Sequence, residues 1–497
     1  MKKFNKKLIP YYFIVNIVYA AFLFFFMNSS FADENGNVTK EFTKISLLIA
    51  VIGYMILLIY SILYYNKSGY ELKEKEVYCT RGVLFKKQSI LEYSKIHAVN
   101  KKQGLIQRMF GLCTITIDSG STNTARQSEI IIIEDLETAD LLMNEIKAKQ
   151  KNETTEDTLV EENIEKENLY NFTAKTKFIY TALNCLGALI TVLIISIFVG
   201  IIFTYIFPNV DFGDEGFEHF DFVLLIVGIL GLTLAISIFA SVVVSFIQYH
   251  DFKIYRTHDS IEINYGLFTK HQNSFKINRV KGIRINQGII KRIFKFATIN
   301  LEVIGYSNTT NNNEQAQSIG VLIPLCKYKE IDFYLDKILP NYKPEPKEHK
   351  TIKFLPFISY FLIFGSISFG LALICAIIPL IYYGLWIETL YVALGIVLAF
   401  IIFILIIYLN QLFAYQNNGI CINNDKVTIY RGGFTKEIAV VLKNNIIGIE
   451  KITTHHRNKE GINSYIIHFK SNAMTNTIKV NNISIEVYEQ LLNLMKY

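Results

Sequence analysis

Basic side chains grouped around a short motif, present twice, are the residues of this 497-residue chain best suited to chemistry. The two copies read Gln103-Gly104-Leu105-Ile106-Gln107-Arg108-Met109-Phe110 and Gln287-Gly288-Ile289-Ile290-Lys291-Arg292-Ile293-Phe294. Each copy predicts a helical turn with apolar side chains on one side and Arg108 or its counterpart on the other. Such a turn can lie against anionic headgroups, where each Lys or Arg contributes about 1 kcal/mol.

Eight residues in and around the motif form the candidate contact with a membrane or a partner. They are Arg108, Phe110, Lys281, Arg284, Lys291, Arg292, Phe294 and Lys295. The alternative is that the two phenylalanines are core residues and that the bases form a solvated rim. The sequence leaves both interpretations open.

Catalytic chemistry has no comparable pattern in this chain. There is no P-loop, no G-x-S-x-G, no H-E-x-x-H and no paired acid constellation. The six cysteines contain no C-x-x-C, and the nine histidines show no ligand spacing. We therefore expect no catalytic residue, no metal and no cofactor, and no feature points specifically to nucleic acid.

Six apolar runs are long enough to cross a membrane, because a bilayer core about 30 Å thick needs roughly 20 residues of helix. With 51% hydrophobic residues, the chain is predicted to be an integral membrane protein with substantial polar parts. No run has a charge in its interior, so none resembles an ion path or proton relay. The runs are Leu8–Met27, Ile45–Tyr65, Phe178–Phe207, Phe222–Ile247, Phe354–Tyr383 and Ile387–Leu409.

The distribution of positive charge predicts the topology. Nearly all Lys and Arg lie in the N-terminal tail and the polar segments, whereas the link Pro208–Asp221 has none. The positive-inside rule then places the N-terminus, the polar segments and the C-terminus in the cytoplasm. One alternative concerns the first run, which with Ser30-Phe31-Ala32 resembles a cleavable signal peptide.

An internal repeat sets the domain organisation, since each copy must be one folding unit. A pair of apolar runs followed by a polar module occurs three times. The predicted segments are a first helix hairpin (1–66), a first module (67–150), an acidic linker (151–170), a second hairpin (171–250), a second module (251–345), a third hairpin (346–413) and a third module (414–497).

Each module follows the same local pattern. Short strands lead into a turn at Gly82, Gly266 or Gly432, where glycine supplies a positive φ. Thirty-three positions later, each module has an alternating strand with one buried face. Each module closes with an amphipathic helix. The alternating strands begin at Ile115, Ile299 and Tyr465, and the helical stripes are Ala139, Leu142, Met143, Ile146; Ile331, Tyr334, Leu335, Ile338; and Tyr488, Leu491, Leu492, Met495.

Several strands with one closing helix describe a small sandwich or barrel of the pleckstrin-homology (PH) type. The Gly266 turn, Arg279-Val280 and the motif at Gln287 together resemble the bacterial PH domain of the YdbS/YdbT-like membrane proteins. The tandem order resembles the longer, YdbT-type member, and the motif is degenerate in the third module. The fold class is therefore an α+β membrane protein with six transmembrane helices in three hairpins, each followed by a cytoplasmic PH-like sandwich or barrel with a C-terminal helix.

The leading hypothesis for function is a non-enzymatic scaffold in the cell membrane, whose modules bind one another, a partner or the lipid surface. The resemblance implies a smaller membrane partner with one PH-like domain, and a role in envelope stress or resistance to antimicrobial peptides. A homo-oligomer is also open. The alternative is a transporter or exporter built from three helix hairpins.

Overall fold

Antiparallel sheets organise the polar part of the chain. The structure is a computed structural model. It describes residues 1–30, 39–83, 85–118, 130–152, 167–186, 219–257, 259–303, 319–351, 365–367, 369, 370, 374, 377, 387–423, 425–453, 458, 459, 461–469 and 476–495. Two compact units contain them, and the division between Arg279 and Val280 falls inside the second sequence module.

The first unit comprises the described parts of Met1–Asn171 and Gln248–Arg279. One of its sheets has the strand order β1-β2-β3-β4, and the other has the order β7-β6-β5-β11-β10-β9-β8. The strands are β1 (Lys2–Lys3), β2 (Gly69–Leu72), β3 (Glu76–Arg81), β4 (Lys87–Glu92), β5 (Ala98–Gln103), β6 (Leu112–Asp118), β7 (Ile130–Asp135), β8 (Glu167–Asn171), β9 (Lys253–Arg256), β10 (Ser260–Tyr265) and β11 (Lys270–Lys276). Its helices are α1 (Leu8–Ser30), α2 (Lys40–Lys67), α3 (Leu105–Met109) and α4 (Leu136–Asn152).

The second unit comprises the described parts of Phe172–Ile247, Val280–Val303 and Ile319–Tyr497. Its sheets have the strand orders β14-β13-β12-β18-β17-β16-β15 and β19-β20-β21. The strands are β12 (Val280–Gln287), β13 (Phe296–Val303), β14 (Ile319–Lys327), β15 (His349–Lys350), β16 (Gly419–Ile422), β17 (Lys426–Arg431), β18 (Lys436–Leu442), β19 (Ile446–Ile452), β20 (Ile462–Phe469) and β21 (Asn476–Ser484). The helices are α5 (His219–Gln248, which ends at the unit boundary), α6 (Ile289–Ile293), α7 (Ile331–Ile338), α8 (Ile387–Asn417) and α9 (Glu486–Met495), and residues 174–186 are also helical.

The core of the first module forms where β2, β3 and β4 face β5, β6 and β7 under the closing helix α4. Val77, Ile115, Ile117 and Ile146 are all fully buried in it. The third module has the corresponding core between β16–β18, β20–β21 and α9. The alternating strands that begin at Ile115, Ile299 and Tyr465 are confirmed, because their inward residues are buried.

The three turn glycines have the positive φ that the sequence predicts: +107° at Gly82, +106° at Gly266 and +122° at Gly432. A Cβ at any of them would lie within 2.1 Å of a carbonyl oxygen three residues later. The turns therefore require glycine, and the repeat preserves one turn geometry in all three modules.

The closing helix of the third module differs slightly from its predicted pattern. The buried positions of α9 are Val487, Leu491 and Leu494, and Tyr488 packs at the edge of the core. The sequence placed the stripe about one residue later, because Tyr488 and Leu492 are themselves apolar. A stripe shifted by one residue still buries one face of the helix.

Short strands that precede the apolar runs are a feature the sequence did not predict. β1 pairs with β2, β8 with β9, and β15 with β16. β8 lies at the end of the segment predicted as the acidic linker, of which residues 153–166 are outside the described part. The chain thus leaves one strand before each predicted pair of apolar runs and returns on the neighbouring strand of the same sheet.

Three of the described helical segments are long and apolar enough to cross a membrane: Leu8–Ser30, Lys40–Lys67 and Gly231–Gln248. The sixth run lies within the helix α8. Most of the runs Phe178–Phe207 and Phe354–Tyr383 is outside the described residues.

Candidate functional site

The repeated motif forms the predicted helical turn in both copies. Gly104 precedes α3, and its N–H donates to Oε1 of Gln107 at 3.1 Å. Gln103 is buried, and its Nε2 donates to the carbonyl oxygen of Leu112 at 2.9 Å. In the second copy, Gln287 makes the same 2.9 Å bond to Phe296. The glutamine therefore fixes the turn between its two flanking strands.

The strand before each motif joins one module to the next. β5 of the first module pairs with β11 of the second, from Lys270 opposite Gln103 to Phe275 opposite Ala98. We call this pairing the first joint. β12 of the second module pairs with β18 of the third in the same register, from Lys436 opposite Gln287 to Val441 opposite Gly282. This pairing is the second joint.

The motif arginine extends each joint to the turn of the following module. Arg108 donates through Nη1 to the carbonyl oxygen of Leu267 at 3.5 Å, directly after the turn glycine. Arg292 donates through Nη1 to the equivalent carbonyl of Gly433 at 3.0 Å and through Nη2 to Oδ1 of Asn417 at 3.1 Å. The planar guanidinium suits such forked donation. Both arginines thus bind a neighbouring module of the same chain.

Arg284 and Lys281 also lie at the second joint. Arg284, on β12, bonds to Glu302 and lies 3.0 Å from Glu437 on β18. Burial opposes the charge on Arg284, but the two carboxylates outweigh it and raise the arginine pKa. Lys281 donates to Oδ1 of Asn445 at 3.3 Å. This network links the two modules through buried charge.

Other motif residues touch the bases of the apolar helices. The Phe110 ring packs edge-on against Tyr11 of α1, with centroids 6.5 Å apart. Lys291 lies 4.9 Å from the Tyr180 ring centroid and donates to Oγ1 of Thr298 at 2.9 Å. Burial lowers the pKa of Lys291 to about 8.

The apolar side chains of the two turns point outward. Phe294 is 54% exposed and Met109 is 73% exposed, while Phe110 is half-buried. Lys295 is exposed as well and has a φ of +59°. Neither phenylalanine therefore belongs to the fully buried core. Whether Phe294 and Lys295 contact lipid or a partner stays a prediction.

A cavity beside the end of α2 was not anticipated from the sequence. It has a volume of about 590 Å³, and its lining includes Lys3, Lys67 and Lys86. Lys3 precedes the first run and Lys67 follows the second, at the ends predicted to be cytoplasmic. Lys86 lines the same cavity. The sequence signal for it is Lys67, two residues after the end of the second run.

The sequence did contain a signal for the joints. The motif with its arginine occurs in the first and second modules, which are followed by another module. Phe-Thr-Lys after the turn glycine occurs in the second and third modules, at Phe268 and Phe434, which are preceded by one. Donor and acceptor halves of the joint therefore have separate sequence patterns.

These features define a membrane-associated protein built of tandem PH-like modules. The family model described as bacterial PH domain matches residues 16–150 and 185–332, more than half of the chain, and the chain belongs to this family. The resemblance to the YdbT-like proteins is confirmed by similarity to the UPF0699 transmembrane protein YdbT of Bacillus subtilis (strain 168). The two are 24% identical over 399 residues, which cover 77% of this chain and 76% of the relative.

Proposed function

We propose that this protein is a non-enzymatic scaffold of the cell membrane, whose three PH-like modules form one connected cytoplasmic assembly. The observation that carries the proposal is the use of the motif arginines. Arg108 and Arg292, the residues of the motif best suited to binding, each hold the turn of the following module. The modules thus bind one another in series and offer their remaining surfaces to lipid and partners.

Three helix hairpins are supported by the way each apolar segment is anchored. The chain leaves β1 and returns at β2, leaves β8 and returns at β9, and leaves β15 and returns at β16. Since the two strands of each pair are neighbours, both ends of each segment lie on the same side of the membrane. An even number of crossings follows, and two apolar runs per segment supply it.

Polar contacts between the first two helices support the first hairpin. Asn16 on α1 donates to Oγ of Ser61 on α2 at 3.0 Å, and Asn28 donates to Oγ of Ser46 at 2.9 Å. The order of these contacts is that of two antiparallel helices, which supports the hairpin. Hydrogen bonds of this kind stabilise helix pairs inside a bilayer.

A cytoplasmic location of the modules and both termini follows from the charge distribution. The N-terminal tail contains Lys2, Lys3, Lys6 and Lys7, and the link Pro208–Asp221 contains only acidic charges. Under the positive-inside rule, the basic side of each hairpin is cytoplasmic. β1, formed by Lys2 and Lys3, lies on the first-module sheet, which puts the tail and that module on one side.

Lipid contact is supported by the outward apolar side chains of the motif turns. Met109 is exposed next to Phe110, which packs against the base of α1. The lysines of the cavity at α2 lie at the same end of the hairpin. An apolar tip with nearby lysines suits the boundary between headgroups and acyl chains.

The proposed partner is a smaller membrane protein with one PH-like domain, and the proposed setting is envelope stress, including resistance to antimicrobial peptides. The resemblance to the YdbS/YdbT-like proteins supports both. A module that binds its neighbour through a strand edge can bind a separate module in the same way.

Affinity purification of the tagged full-length protein from native membranes tests this proposal. We expect to recover a small membrane protein with one PH-like domain, and not to recover it with an unrelated multi-pass protein carrying the same tag. Recovery of the chain without such a partner, together with solute movement by the purified chain in proteoliposomes, would favour the transporter instead.

A further inference from the structure

Two strands, β4 and β19, lie at the edges of their sheets in the described part of the chain, although their counterparts in other modules are paired. β11 and β18 are each covered by a strand of the preceding module. Their counterpart in the first module is β4, which ends its sheet in the described part of the chain. The counterpart of the covering strands β5 and β12 is β19 of the third module, which likewise ends its sheet there. Within the described residues, β4 is therefore an acceptor edge without a covering strand, and β19 is a donor strand without an acceptor.

We propose that β4 of one copy of this chain pairs antiparallel with β19 of a second copy, so that the chains join head to tail. The occupant follows from the repeat, because β19 is the donor strand that no later module uses. Such a contact is heterologous, so successive copies form a ring or an open row.

The register of the internal joints fixes the register of the proposed one. Val440 lies opposite Ile283 in the second joint, and the equivalent residues by distance from the turn glycine are Ile90 and Ile449. Val440 and Ile283 are 0% and 1% exposed, whereas Ile90 is 59% exposed. Pairing with β19 would bury Ile90 in the way its counterpart is buried.

β19 also has room for an approaching strand. At Gly282 of the second joint, a Cβ would lie 3.3 Å from the carbonyl oxygen of Val440, the neighbour of its paired residue Val441. Its counterpart Gly448, at the equivalent place before β20, has nothing within 4 Å in the described structure. In the proposed register, Lys87 of β4 lies diagonally across from Glu450, a favourable cross-strand pair.

The proposed joint lacks one element of the internal joints. Asn458 stands at the distance from its turn glycine where Arg108 and Arg292 stand from theirs. Without the forked arginine, the contact between copies relies on the strand pairing and on Ile90. We therefore expect it to be weaker than the joints within the chain and to exchange between copies.

Cysteine crosslinking between two differently tagged full-length chains tests the proposal. One chain carries Ile90→Cys, the other Ile449→Cys, and both carry Cys375→Ser, since the other five cysteines are buried. The purified chains are reconstituted together in liposomes without any other protein and oxidised. We expect about tenfold more mixed disulfide than for Leu141→Cys with Ile449→Cys, because Cα atoms more than about 7 Å apart cannot be bridged.

Charge at the edge supplies a second readout. Ile90→Lys is expected to shift the purified chain towards monomer in light scattering, whereas Leu141→Lys, at an exposed position of α4, leaves its size unchanged. Equal crosslinking at Ile90 and Leu141, or an unchanged size for Ile90→Lys, would overturn head-to-tail pairing. Because no partner protein is present, either result leaves the scaffold proposal and its smaller partner untouched.

Discussion

Arg292 Nη1 lies 3.0 Å from the carbonyl oxygen of Gly433, so a motif side chain of the second module binds the turn of the third. The same guanidinium lies 5.3 Å from the ring centroid of Phe413 on α8. One arginine thus connects its own motif turn, the Gly432–Gly433 turn and the apolar helix α8. Without Arg292, the pairing of β12 with β18 would leave the turn at Gly433 without this hydrogen bond.

Arg292→Lys is expected to weaken the second joint, because an ammonium group cannot reproduce the forked donation. Hydrogen bonds from charged groups contribute about 1.5–3 kcal/mol each, so the loss should be on the order of 2 kcal/mol. Limited proteolysis and thermal unfolding of the detergent-purified chain measure it. Lys329→Arg, at an exposed position of the same module, is the matched control, and equal stability of both variants would contradict a structural role for Arg292.

The parts of this fold that could be predicted from sequence are those set by local periodicity. The alternation at Ile115 and Ile117, the turn glycines and the closing helices all appear within one module. The joints could not be predicted this way, because Arg284 and Glu437 are 153 residues apart and pair only when two sheets merge. β1 and β15 have two residues each, too few to show any period.

The same limit applies to the candidate site. Residue type identified Arg108, Arg284 and Arg292 as binding residues, and the structure gives each of them partners within the chain. Residue type could not distinguish a lipid phosphate from a backbone carbonyl, since both accept from a guanidinium. Lys295 is more exposed than Lys291. This difference depends on packing, which no local sequence pattern encodes.

The pH dependence of stability should reveal the buried Lys291. Its pKa is about 8 in the folded protein, below the value of about 10.4 for an unfolded chain. Between these values the unfolded state binds more protons, so the free energy of unfolding rises with pH in this window and is flat below it. Lys291→Met removes the titrating group, and the stability difference between variant and wild type should shift in favour of wild type from about pH 7.5 to about pH 9.5.

Thermal unfolding of both proteins across that range measures the shift. Subtracting the two curves removes the contribution of other groups, including Lys347, whose pKa burial also lowers to about 8. Lys329→Met, at an exposed position of the same module, controls for the loss of one lysine charge. A pH-independent difference for Lys291→Met would mean that Lys291 is solvated in the protein.

Membrane contact of the motif turn can be read from a single tryptophan. The chain has one tryptophan, Trp386, so Trp386→Phe gives a silent background. In this background, Met109→Trp should be quenched by brominated lipids, because position 109 is exposed next to the base of α1. Leu141→Trp on α4 is the matched control, and equal quenching of the two would count against insertion of the turn.

The contact between Asn16 and Ser61 should contribute measurably to the first hairpin. Both residues are buried, and their 3.0 Å hydrogen bond joins α1 to α2. Hydrogen bonds between membrane helices average about 0.6 kcal/mol and reach about 1.7 kcal/mol in double-mutant cycles. A cycle with Asn16→Ala and Ser61→Ala should therefore give a coupling energy in that range when unfolding is measured in mixed micelles. The pair Asn16 and Ser46, which the structure does not connect by a hydrogen bond, should be additive, and additivity of Asn16 with Ser61 would rule out their contact.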